Sequence, residues 1–118
     1  MSQSVRLTRD AAKLLVLIYR HYLAALDNGC DDFHARYIGD SFEVISLFSL
    51  PYSPSLTTLL LLELDRHGFV SAINCDDIAA DCELSREGIA YMEGIWVDVA
   101  HALGKGITAA VDVVLKFL

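Results

Sequence analysis

The chain is short of basic charge, of cysteine and of recognisable catalytic motifs, and each shortage excludes something. Nine Lys and Arg stand against sixteen Asp and Glu, a formal net charge of -7. A general nucleic-acid coat needs a basic face to neutralise phosphate, so that class falls. Three cysteines occur, Cys30, Cys75 and Cys82. The number is odd and the spacing fits no disulfide framework, which points to reduced thiols in a cytosolic protein. A zinc set of Cys30, His34, Cys75 and Cys82 can be written down, but CxxC and HxxxH are both missing, and small buried thiols are the plainer reading. No metal or other cofactor is expected.

Other absences are as informative. The start of the chain lacks the charged region, apolar block and small-residue cleavage site of a signal peptide, so none is expected. The longest uncharged run, Val44 to Leu62, has the length of a membrane span. Pro51, Pro54 and several Ser and Thr interrupt it, so no membrane crossing is expected. There is no GxSxG, HExxH or P-loop. The adjacent acids Asp31-Asp32 and Asp76-Asp77 read as turn and cap residues. His21, His34, His67 and His101 fall on separate predicted elements. No enzymatic activity is expected.

What is present is apolar. Hydrophobic residues make up 54% of 118 residues, enough for one sizeable core and too many for disorder. No internal repeat or low-complexity stretch appears. Charge is lopsided: residues 1–36 carry net +1 and residues 37–118 net -8, as for a polarised surface.

Periodicity and capping predict the elements. A first helix runs from about Arg9 to Leu26, capped by Thr8 and stopped at Asn28-Gly29, with Leu14, Leu15, Ile18, Tyr22 and Leu26 on its buried stripe. Arg9, Lys13 and Arg20 share another, solvated face. A second helical stretch covers His34 to Phe48, with Asp32 as its cap, Gly39 placed either to split or to tighten it, and Tyr37, Val44, Ile45 and Phe48 inward. Ser53 and Pro54 open a third helix that runs to about His67. Its leucines (Leu56, Leu59, Leu60, Leu62 and Leu64) lie almost all round, as for a helix deep in a core. A hairpin follows, Phe69–Asn74 and Ile78–Leu84, with Cys75-Asp76-Asp77 at its tip and Ala80, Cys82 and Leu84 on one face. Ser85 caps the next helix, with Leu84 and Ile89 placed as a hydrophobic staple. Ile89, Met92, Trp96, Val99 and Leu103 then make a coiled-coil-like seam. Gly104-Lys105-Gly106 kinks or breaks the helix, and a helix apolar almost all round resumes from Ile107 to Leu118, to be buried on its own domain or on a second copy.

Two phrases in this order of elements resemble those of a known family. Leu60 to Val70, reading LLLELDRHGFV, resembles the end of a winged-helix recognition helix turning at glycine into the wing. Glu83 to Glu93, ELSREGIAYME, resembles the phrase that follows the wing in bacterial and phage winged-helix proteins. The resemblance covers residues 7–94. It implies a mainly α winged-helix domain over residues 1–94 with a two-stranded wing, and a C-terminal helical extension over 95–118 that dimerises through Trp96, Val99, Leu103, Val111, Val114 and Leu118. Gly68 then serves a left-handed cap, and Gly88 lets the helix after the wing approach the hairpin.

The family's usual chemistry sets the third helix in the major groove and the wing on phosphate. DNA contact would then fall to Tyr52, Ser53, Ser55, Thr57 and Thr58, with Arg6, Arg9, Lys13, Arg20 and Arg36 on the backbone. Yet Asp76, Asp77, Asp81 and Glu83 would face a polyanion, and the third helix has no Lys or Arg before Arg66. The expectation is therefore an acidic winged-helix module. It docks on a basic protein partner through Asp76, Asp77, Asp81 and Glu83, as an inhibitor or adaptor of nucleic-acid machinery of phage or mobile-element, anti-defence kind. A DNA-binding transcriptional regulator is the alternative.

Overall fold

Thr8 opens the first helix: its side chain accepts from the Ala11 N–H, and Asp10 lies in the first turn, where the helix dipole favours an acid. A computed structural model describes residues 6–117. In it, helix α1 covers Arg9–Asp27 and buries Ala11, Leu14, Leu15, Ile18, Tyr19 and Tyr22. Leu26, expected on that stripe, is partly exposed. Gly29 takes φ 89° just beyond the helix.

The stretch expected as one helix from His34 to Phe48 is three elements. Asp31, rather than Asp32, caps a short helix α2 (Asp32–Arg36). Strand β1 follows at Tyr37–Gly39, and Gly39 turns the chain at φ 89°. Asp40 then starts helix α3 (Ser41–Phe48) with a capping box, its carboxylate on the Glu43 N–H and the Glu43 carboxylate on the Asp40 N–H. Val44 is buried as expected, while Tyr37 is partly exposed.

Helix α4 (Pro54–Arg66) begins at the Ser53 cap with Pro54 in its first turn. Gly68, at φ 78°, carries the chain out of it. Strands β2 (Val70–Cys75) and β3 (Ile78–Leu84) form the expected hairpin. β1 adds to it, so the sheet has three strands in the order β1-β3-β2, all antiparallel. This corrects the two-stranded wing. On β2 the Ala72 N–H is taken by the Asp65 carboxylate at 3.2 Å.

β3 does not alternate as expected. Its pairing with β2 slips between Ser71 and Ile73, and Asp81 sits at φ 48°. The irregularity resets the faces, so Ala79, Cys82 and Leu84 are buried and Ala80 is not.

Helix α5 (Arg86–Leu103) starts at the Ser85 cap and ends at Gly104 in the left-handed conformation. Its inward stripe is Ile89, Met92, Trp96 and Ala100, drifting off the heptad as a straight helix does. Helix α6 (Ile107–Leu115) follows. It packs on both α5 and α1, and Asp112 accepts from Arg20 at 2.5 Å. The division expected at residue 94 thus falls inside α5. Trp96 and Val111, expected at a dimer contact, are buried in the chain's own core. Val99 and Val114 are half-buried, Leu103 is exposed, and Leu118 lies outside the described residues.

Candidate interaction surface

Helix α4 shows two faces. Thr57, Thr58, Leu60, Leu61 and Leu64 point into the core. Ser55, Leu56 and Leu59 face out, and Leu59 is 62% exposed. The all-round leucine pattern therefore misleads in one respect: the helix is half-surface, and its outer side is greasy. Thr57 and Thr58, expected to reach DNA, are closed off by burial. Tyr52 is half-buried, and its hydroxyl donates to Asp10 at 2.9 Å. Ser53 spends its side chain on the Leu56 N–H. Of the five groove-facing candidates, Ser55 is exposed and has no such tie among the described residues.

Thr58 has a structural task that sequence reasoning missed, together with Ser41. The Ala79 N–H donates to Ser41 Oγ at 2.9 Å. The hydroxyls of Ser41 and Thr58 lie 2.7 Å apart, and Thr58 Oγ1 donates to the Asp77 carbonyl at 3.3 Å. With Ser41 donating to Thr58, every proton in this buried chain is used. The chain pins the hairpin tip beside the first turns of α4. No local pattern signals it, because the partners lie 17 to 38 residues apart.

A shallow cleft of about 340 Å³ results, lined by Ser55, Leu59, Leu62, Asn74, Asp76 and Asp77 among others. Leu59 and Leu62 are its apolar lining, and Asp76 and Asp77 add two carboxylates. The four acids expected to meet a partner are thus divided. Asp76 and Asp77 lie on the cleft. Asp81 and Glu83 lie along β3, where Asp81 accepts from the Tyr37 hydroxyl at 3.1 Å and Glu83 stands 3.6 Å from Arg36.

The basic candidates divide as well. Arg36 donates to Asp32 at 2.9 Å and to the Leu84 carbonyl at 3.2 Å, and only 16% of its side chain is exposed. Arg86 reaches the same Asp32 oxygen at 2.8 Å, and the Tyr22 hydroxyl takes the other. Arg36, then Tyr22 and Arg86, hold the Asp32 carboxyl below the usual carboxylate range against the opposing effect of desolvation. Arg20 is engaged with Asp112. Arg6 and Arg9 are exposed and Lys13 is half-buried.

No family model matches the chain. Nor does any curated protein or any solved structure match it. The surface must be read from its own chemistry.

That chemistry is one-signed. From Tyr37 to Ser85, spanning β1, α3, α4 and the hairpin, Arg66 is the single basic residue against eight acids. The rest of the chain balances, eight basic and eight acidic. The whole formal charge therefore resides in the segment that carries the cleft. Among the described residues no group of three or more His, Cys, Asp or Glu is placed to hold a metal ion. Cys30 and Cys75 are exposed and Cys82 is buried, all three free. No described helix is long and apolar enough to cross a membrane.

Proposed function

We propose that this chain is a non-enzymatic interaction module of winged-helix type, which docks a basic protein surface in the cleft between α4 and the hairpin tip. One observation carries the reading. The segment a winged helix offers to DNA holds eight acids and one arginine, and it supplies the full net charge of -7. Two neighbouring carboxylates over Leu59 and Leu62 suit an arginine or lysine from a partner: the alkyl stem lies on leucine and the cationic head meets Asp76 and Asp77. A partner whose basic groove ordinarily holds nucleic acid offers such side chains in number, so an inhibitor or adaptor of nucleic-acid machinery fits the charge. Two helices, α3 and α4, leading into a hairpin with β1 alongside support the winged-helix reading.

The test sets this against DNA binding. A labelled generic duplex is titrated with the protein at low and near-physiological salt and followed by anisotropy. Our reading expects no binding at either. Binding at low salt that weakens steeply as salt rises would overturn it in favour of a regulator. In a companion experiment, the protein is used as bait in a lysate of its source cells. Partners held by the wild type and released by D76K/D77K or by L59S support the cleft as the docking site.

A further inference from the structure

Arg9 and Lys13 stand four residues apart on α1, a spacing at which like charges face and repel one another. Neither makes an ion pair among the described residues. The acid between them in sequence, Asp10, is engaged with the Tyr52 hydroxyl. The two cations and Asp10 border a groove of about 580 Å³ between α1 and α6, whose apolar lining is Ala12, Val16 and Val114. Ala12 and Val16 also line a smaller cavity of about 100 Å³ with Ile95 and Trp96. The apolar floor thus continues across α1 toward α5. A volume of this size lies within the ~300–1,000 Å³ of small-molecule sites. On a chain of net charge -7, this groove has two cations against one carboxylate, itself bonded to Tyr52, and its local excess of positive charge favours a ligand of opposite sign.

We propose that this groove binds a small organic anion with an apolar body, of the fatty-carboxylate class. The carboxylate meets the Arg9 guanidinium and the Lys13 ammonium, and the hydrocarbon lies along Ala12, Val16 and Val114. This site is separate from the acidic cleft and does not depend on it. The probe is dodecanoate, kept below its micelle concentration and followed by calorimetry and by the emission of Trp96, the chain's single tryptophan. Dodecyltrimethylammonium is the cationic control. Saturable 1:1 binding of dodecanoate is expected, at least about tenfold tighter than that of the cation. R9E/K13E is expected to weaken it at least about tenfold, since one tenfold step is about 1.4 kcal/mol. V114F keeps both cations and fills the groove, and it should weaken binding to a similar extent. Circular dichroism checks that both variants remain folded. Equal affinity for the cation, no loss in either variant, or no binding at all overturns the proposal. So does binding to phosphatidylglycerol vesicles without binding to monomeric dodecanoate, which would show a charged surface rather than a groove.

Discussion

Gly88 lies so close to Phe69 that a Cβ built on it would come within 2.2 Å of the Phe69 carbonyl oxygen. The contact is backbone against backbone, in the first turn of α5, where the strand leaving α4 passes. Ser85 locks the same corner: its hydroxyl donates to the Gly68 carbonyl at 2.5 Å and accepts from the Gly88 N–H at 2.9 Å. A methyl group here must push two elements apart. G88A is expected to lower stability by about 1–3 kcal/mol, the range of overpacked cores, despite alanine's better helix propensity. Gly94, two turns on in the same helix, has nothing within 4 Å of its Cβ position. G94A is expected to raise stability by roughly 0.5–1 kcal/mol. Urea midpoints of the two variants, moving in opposite directions, check both statements.

Ser41 accepts from a buried N–H that has few other options. S41A leaves the Ala79 N–H without its side-chain acceptor and Thr58 without its neighbour. The expected cost is about 1–3 kcal/mol, the penalty of a buried unmade hydrogen bond. Amide exchange at Asp77 and Ala79 should quicken beyond that global loss, because the tip is released from α4. Exchange that changes evenly over the whole chain would contradict the pinning role.

The three thiols should react unequally. Cys30 and Cys75 are exposed and Cys82 is fully buried. Burial, aided by nearby carboxylates, pushes the Cys82 thiol up to about 12, so it stays protonated at neutral pH and lacks nucleophilic thiolate. A thiol reagent at neutral pH should label two sites promptly, and the third only as the protein unfolds.

Asp32 joins α1, α2 and α5 through Tyr22, Arg36 and Arg86. Its carboxyl titrates lower in the folded chain than in the unfolded one. The unfolded state therefore binds more protons near the ordinary value, about 3.9, and the stabilisation is fully present above that pH. It is lost as pH falls through the depressed folded value. D32N should thus be less stable than wild type at neutral pH, and the gap should begin to narrow near about pH 4 and close as pH falls through the depressed folded value. Melting curves of both proteins across that range check it. A gap that widens on acidification would show that Asp32 is not held by these cations.

Local chemistry was legible and non-local chemistry was not. Thr8, Ser53 and Ser85 announce their helices because a capping side chain acts within three residues. The same holds for the bounds of the hairpin, and Gly104 and Gly106 signal an interruption, while packing decides between a kink and a break. β1 escaped notice because three residues cannot show a period of two, and its partner strand lies more than forty residues away. The inward side of α4 was hidden because leucine surrounds the helix, so hydrophobicity could not choose a face. Buried Thr58 on it answers to Ser41 and the hairpin instead. The cationic set dissolved for a similar reason: Arg20 finds Asp112 across 92 residues, a pairing no window along the chain contains. The acids at the hairpin tip were readable, since a turn at Asp76-Asp77 places them on the surface whatever packs behind.

The hydrogen bond from the Ala72 N–H to Asp65 bears on how the protein survives in a crowded solution. β2 is an outer strand of the sheet, and outer strands invite neighbours to zip on through their unused amides. A stranger arriving there finds a carboxylate already seated on one of those donors. On the opposite margin β1 offers only three residues, too short a template to hold a guest. A chain more than half hydrophobic thereby guards both margins of its three-stranded sheet, and its net charge of -7 discourages stacking of one copy on the next.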